Sequence, residues 1–130
     1  MKQRNPIVHI AGIICLCIIS CKPSSSPTDL SKGNFIPKPV SIRPDGGTFQ
    51  LEDATTIYFE GDEEVRHVAQ YLADKLKPAT GYGLPVSPVV GTPEAGNIYL
   101  SLKADPQLGA EGYELTITED QVKVSSPSSV

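Results

Sequence analysis

The sequence predicts an α+β domain: a largely antiparallel or mixed sheet of about six or seven strands, with one helix packed on one face. Two observations carry this. Short apolar stretches alternate with period two along most of residues 36–130, the spacing of half-buried strands. Between Asp62 and Lys77 the period changes, and Val65, Val68, Ala69, Leu72, Ala73 and Leu76 form a stripe at helical spacing.

The strands follow in order. "IPKPVSIRPDGGTFQL" opens with prolines that exclude a helix and offers two short candidates, with Val40 and Ile42 on one side of the first and Phe49 and Leu51 on one side of the second. Asp45, Gly46 and Gly47 between them suit a turn. "TTIYFEG" is more apolar and is predicted to be central. The helix is then expected over 62–77. Asp62 is placed to cap it, Glu63 and Glu64 sit where its dipole favours negative charge, and Pro78 and Gly81 are expected to end it. Leu84 to Val90 is interrupted by prolines, so any strand there lies at an edge or is broken. "NIYLSLK" is a clear strand, with Ile98, Leu100 and Leu102 on one side. "GYELTITEDQVKV" reads as a hairpin turning at Glu119-Asp120, with Tyr113, Leu115, Ile117, Val122 and Val124 on the face to be buried.

The beginning of the chain has a different character. Lys2 and Arg4 precede an apolar run of 13 residues from Ile7 to Ile19, followed by Ser20 and Cys21. That run is too short to span a bilayer as a helix and suits the core of a secretory signal. "IISC" resembles a bacterial lipobox. The resemblance implies that 1–20 is a lipoprotein signal peptide removed before Cys21. The Cys21 thiol and the new amino terminus would then carry the lipid chains that anchor the protein in the cell envelope. Residues 21–35, rich in Ser and Pro, are expected to be a flexible tether. No cysteine follows Cys21, so the mature chain can close no disulfide within itself. Losing Lys2 and Arg4 leaves 9 basic against 15 acidic side chains, changing the net charge from −4 to −6. No basic stripe interrupts that balance, which argues against nucleic acid as a partner.

The residues give little to build catalysis from. His67 is the one histidine after the signal, and helical spacing puts it almost opposite the apolar stripe. A transition-metal site usually needs several His or Cys ligands. Glu52-Asp53, Glu63-Glu64 and Glu119-Asp120 are adjacent acids, and neighbours on a strand or helix diverge instead of facing each other across a pocket. "GYG" at 81–83 lacks the lysine of a phosphate loop. No catalytic, cofactor-binding or metal-ligating residue is identified, and no cofactor is expected; Cys21 is the one site residue, for lipidation. For sugar binding the chain has no Trp. Tyr71, Tyr82 and Tyr99 are expected to be partly exposed, whereas Phe35, Phe49 and Tyr113 are expected to pack into core or linker.

Three segments together carry a resemblance: the "IPKPVSI…GGTFQL" entry, the helix ending in "LKPATGYGLPV", and "EGYELTITEDQVKV". In this order they resemble the N-terminal domain of bacterial β-N-acetylhexosaminidases of glycoside hydrolase family 20, over roughly residues 36–126. The resemblance implies a non-catalytic α+β domain whose antiparallel sheet is covered on one side by two helices. A (β/α)8 barrel follows that domain in the family. There an adjacent Asp and Glu, working with the substrate's own acetamido group, remove terminal N-acetylglucosamine or N-acetylgalactosamine from glycans. No Asp-Glu pair here matches that motif, and a barrel needs about 250 residues. The chain stops at "SSPSSV", where the family's second helix begins, so a C-terminally truncated domain is expected. Its partners would be the missing barrel and, through lipid on Cys21, the membrane. A free-standing envelope lipoprotein binding glycan or protein is the alternative, and a similar domain precedes other glycoside hydrolases such as α-glucuronidases.

Overall fold

The computed structural model describes residues 32–44 and 46–128. The signal segment, Cys21 and most of the tether therefore lie outside the described residues, as does Asp45 of the glycine turn. Five strands and one long helix follow one another as β1 (Ile57–Glu60), α1 (Glu63–Thr80), β2 (Val86–Pro88), β3 (Asn97–Ser101), β4 (Glu114–Ile117) and β5 (Gln121–Ser125). They build one mixed sheet in the order β2-β1-β3-β5-β4. β1 pairs in parallel with β2 and β3, β3 pairs in parallel with β5, and only the β4–β5 hairpin is antiparallel. Helix α1 supplies the return path that a parallel β1–β2 pair requires.

The helix forms where the stripe places it. The Asp62 side chain accepts hydrogen bonds from the backbone N–H groups of Glu64 and Val65, at 3.1 and 3.3 Å, two donors that otherwise lack a partner in the first turn. The helix ends at Gly81, whose φ of 78° is left-handed and whose N–H donates to the Lys77 carbonyl at 2.8 Å. Pro78 does not end it. The helix continues through Pro78 to Thr80, since proline's fixed φ is helical and it gives up one backbone bond near a terminus. The Thr80 hydroxyl also donates to the Leu76 carbonyl at 2.9 Å.

The core lies between α1 and the sheet. Ile57, Phe59, Ile98 and Leu100 meet Val65, Ala69 and Ala73, with Leu84 closing one end. Ile57 and Ala69 are wholly buried. Small alanines let the helix approach the sheet closely, and the larger strand residues fill the space. Gly61 is required at the β1–α1 corner: its φ is 151°, and a Cβ there would come within 2.6 Å of the Val65 side chain.

Two expectations are corrected, one for the entry segment and one for the hairpin. The described residues of 36–51 form no strand, so the sheet has five strands among the described residues and not six or seven. Pro37, Pro39 and Pro44 remove the N–H groups a ladder would use, and Ile36 and Val40 remain fully exposed. Phe49 and Leu51 instead pack as an irregular wrap against the core. The hairpin face is a second departure. Leu115 and Tyr113 are 52% and 56% exposed, because α1 touches β1, β2 and β3 and does not reach β4 or β5.

Replacing Asp62 by Ala should destabilise the domain by about 1 kcal/mol, and Ile57→Ala by about 2–5 kcal/mol. Urea denaturation should therefore rank Ile57→Ala well below Asp62→Ala; the reverse order would place the core elsewhere.

Candidate functional site

Two surfaces remain once the core is accounted for. The first is an apolar groove beside α1. In register, Phe59, Leu100, Val124 and Leu115 form one row across β1, β3, β5 and β4, and Ile57, Ile98, Val122 and Ile117 form the next. The helix covers the first two members of each row, Val122 and Val124 are partly buried against the core, and Leu115 is left open. The result is a groove of about 220 Å³ lined by Val65, Val68, Leu102, Tyr113 and Val124 among others. Val68 belongs to the helical stripe yet is 50% exposed, since it leans towards this groove and not the core. The chain leaves β5 along the same groove, which Ser126 and Ser128 line. The Ser126 hydroxyl donates to the Gly112 carbonyl at 3.1 Å, and the Ser128 hydroxyl donates to that of Ala110 at 2.7 Å. Gly112 permits the turn: a Cβ there would lie 2.2 Å from the Leu108 carbonyl oxygen.

The second surface is the opposite sheet face, where period two puts Tyr58, Glu60, Tyr99 and Lys123. The Tyr99 hydroxyl donates to the Glu60 carboxylate at 3.2 Å, and the Lys103 ammonium binds its other oxygen. The hydrogen bond from Lys103 holds the Glu60 carboxyl below its ordinary range. Burial, helped by the Glu60 charge, raises the Tyr99 phenol. Both shifts keep the carboxylate ionised and the phenol protonated, which makes the cluster a structural clasp between β1 and β3 and not an acid–base pair.

The other groups singled out in the sequence do not converge. The His67 side chain is 69% exposed, with Nε2 3.4 Å from a Glu63 oxygen on the same helix face. Glu63 in turn takes a forked hydrogen bond from Arg66, which lowers its carboxyl and raises the guanidinium. Among the described residues no three His, Cys, Asp or Glu side chains gather as a metal site, and no helix is long and apolar enough to cross a membrane. Of the tyrosines, Tyr71 is 62% exposed beneath the Lys75 ammonium at 5.1 Å, whereas Tyr82 packs against the core. Phe35 and Tyr113 are exposed, contrary to expectation, and only Phe49 packs inward. The Glu60–Tyr99–Lys103 clasp was not visible beforehand. Period two places Glu60 on the outer face, but its partners lie 39 and 43 positions away and meet it only through the β1–β3 register.

A two-layer domain of this kind, with an open groove and no convergent reactive groups, has the character of a module that packs against something larger. Residues 32–129 match the family model of glycosyl hydrolase family 20, domain 2, and the chain belongs to that family. It is 30% identical over 124 residues to a β-hexosaminidase of Porphyromonas gingivalis, covering 91% of this chain and 16% of that protein. It is also similar to the solved structure of a family 20 β-N-acetylhexosaminidase from Streptomyces coelicolor, with 36% identity and a TM-score of 0.62 over 72% of this chain and 18% of the other. The chain thus spans less than a fifth of either relative.

The depressed Glu60 carboxyl has a consequence for stability. Ionised Glu60 favours the folded state fully above the ordinary glutamate value near 4.5, and that contribution is lost as pH falls below it through the lower folded value. Glu60→Gln should therefore lose less of its urea midpoint than the parent between about pH 6 and about pH 3. Identical acid sensitivity would mean that the clasp does not form.

Proposed function

We propose that this chain is the non-catalytic N-terminal scaffold of a lipid-anchored exo-β-N-acetylhexosaminidase. The parent would remove terminal N-acetylglucosamine or N-acetylgalactosamine from glycans, with its active site in a following (β/α)8 barrel. The observation that carries this reading is the uncovered half of the sheet. Leaving Val68, Tyr113 and Leu115 in water forgoes about 25 cal/mol for each Å² of apolar area that could be buried, and a contiguous apolar patch of this kind marks a packing surface. The groove also holds the last described residues of the chain, so whatever follows in the same polypeptide is delivered to it at high local concentration. The family resemblance supplies the occupant: a second helix beside α1, leading into the barrel. The small share of its relatives' length that the chain covers is consistent with this.

The scaffold would brace the barrel on the α1 side, while the tether of residues 21–35 spaces the enzyme from the membrane. Cys21 would carry the lipid, which places the protein in the bacterial envelope. Lipid chains on one residue supply the anchor without asking the domain for a membrane-binding surface.

Two measurements test this reading. The chain alone should leave an aryl N-acetyl-β-glucosaminide at the background rate, while the polypeptide extended through the barrel should hydrolyse it; turnover by the chain alone would overturn the scaffold role. In cells fed labelled palmitate, the protein should incorporate label and Cys21→Ser should not. Equal labelling of both would remove the anchor from the proposal.

A further inference from the structure

The sheet face turned away from α1 takes no part in the packing surface above, and it carries a hollow of its own. After β2 the chain must return across β1 to reach β3. The helix already occupies one face, so a right-handed crossover in the reverse direction carries residues 89–96 over the other. This segment passes Tyr58, and between them lies a hollow of about 120 Å³ lined by Tyr58, Val89, Val90, Thr92, Pro93 and Glu94.

The hollow is held open by a fixed frame. The Asn97 side-chain amide donates to the carbonyls of Glu94 and Ala95, both at 3.1 Å, and its oxygen accepts the Thr56 N–H at 2.8 Å. The Thr55 hydroxyl donates to the Gly96 carbonyl at 3.1 Å, and the Gly96 N–H donates to the Asp120 carbonyl at 2.6 Å. One end of the crossover is thus tied both to the start of β1 and to the hairpin turn. A ligand meeting Glu94 would have little backbone left to order, which lowers the cost of binding.

The lining selects the ligand. Tyr58 presents an aromatic ring and stands directly beside Tyr99 in register. Val90, which is 88% exposed, and Pro93 add a small apolar share to a lining that is mostly polar. Neither the Glu94 carboxylate nor the Thr92 hydroxyl has a partner among the described residues. An anion would meet the Glu94 charge, and a wholly apolar ligand would desolvate Glu94 and Thr92 without replacing their hydrogen bonds. A sugar ring offers both halves of the match: an apolar C–H face for the aromatic and apolar side chains, and hydroxyl donors for the carboxylate.

We propose that this hollow is an accessory subsite for one pyranose ring of an uncharged glycan. On the reading of the parent as a hexosaminidase, on which the choice of sugar rests, the ring is an N-acetylhexosamine. One shallow subsite binds weakly, with Kd on the order of 1–10 mM. Its use is additive: facing away from the α1 surface it stays open when that surface is covered, and it holds one residue of a branched or surface-bound glycan while the enzyme works on another.

The test is an NMR titration of the 15N-labelled chain with N-acetylglucosamine and di-N-acetylchitobiose. Saturable shifts are expected at Tyr58 and residues 89–94. Tyr58→Phe should retain them, whereas Tyr58→Ala and Glu94→Gln should each weaken binding about five-fold or more. Glucuronic acid should bind less well than N-acetylglucosamine. Absence of saturable shifts overturns the subsite. So do shifts unchanged in Glu94→Gln and in a Tyr58→Ala protein whose spectrum stays dispersed. These results are separable from the enzyme reading, because hydrolysis by the extended polypeptide is measured without reference to this hollow.

Discussion

Everything in this domain hangs on the way β1 is held. Like β3 it has parallel partners on both sides, and its Ile57 is wholly enclosed between those partners and α1. A short strand of four residues can be enclosed in this way because the chain leaves it through Gly61, turns at the Asp62 cap and lays α1 directly back over it. The helix is then committed to the β2–β1–β3 half of the sheet. A single helix about 10 Å across cannot also cover a hairpin two strands further on.

The open groove follows from that commitment, and so does the division of labour between the two sheet faces. On the helix side the hairpin contributes its apolar residues to rows whose other members are already buried, so the surface is completed only by another packed element. On the far side the residues are polar or aromatic, cross-linked by the Glu60 clasp, and framed by a loop that had to pass there because the helix occupied the near side. One sheet face is apolar and half covered, and the other is polar and cross-linked. The Asp62 cap and the Gly112 turn serve that arrangement. One sets where α1 begins over β1, and the other lets the chain turn into β4 beside the groove that the chain re-enters after β5.

The fold was largely legible in the sequence where one segment carried its own signal. The change of period at Asp62 located the helix, and the Asp62 cap and Gly81 stop were visible because capping uses residues within a few positions of each other. The prolines between Pro85 and Pro93 marked a weak edge strand, and β2 proves to be one. Errors arose where the outcome depended on competition. Val40 and Ile42 alternate as a strand would, but the neighbouring prolines leave no ladder to join, while Phe49 and Leu51 find the core without one. Pro78 reads as a helix stop from composition, yet near a terminus the lost bond matters less than Thr80 and Gly81 closing the last turn.

By itself, then, the sequence determined the helix and its boundaries to within a few residues, the existence of the three clearest strands, and the family likeness. These are properties of spacing and composition, which need no knowledge of what lies across the sheet. The tertiary structure alone decided that β1, β3 and β5 run in parallel, that Glu60 meets Tyr99 and Lys103, that Tyr113 and Leu115 stay open to water, and that residues 89–94 arch over Tyr58. Each of these depends on strand order and register, which bring together residues far apart in the sequence.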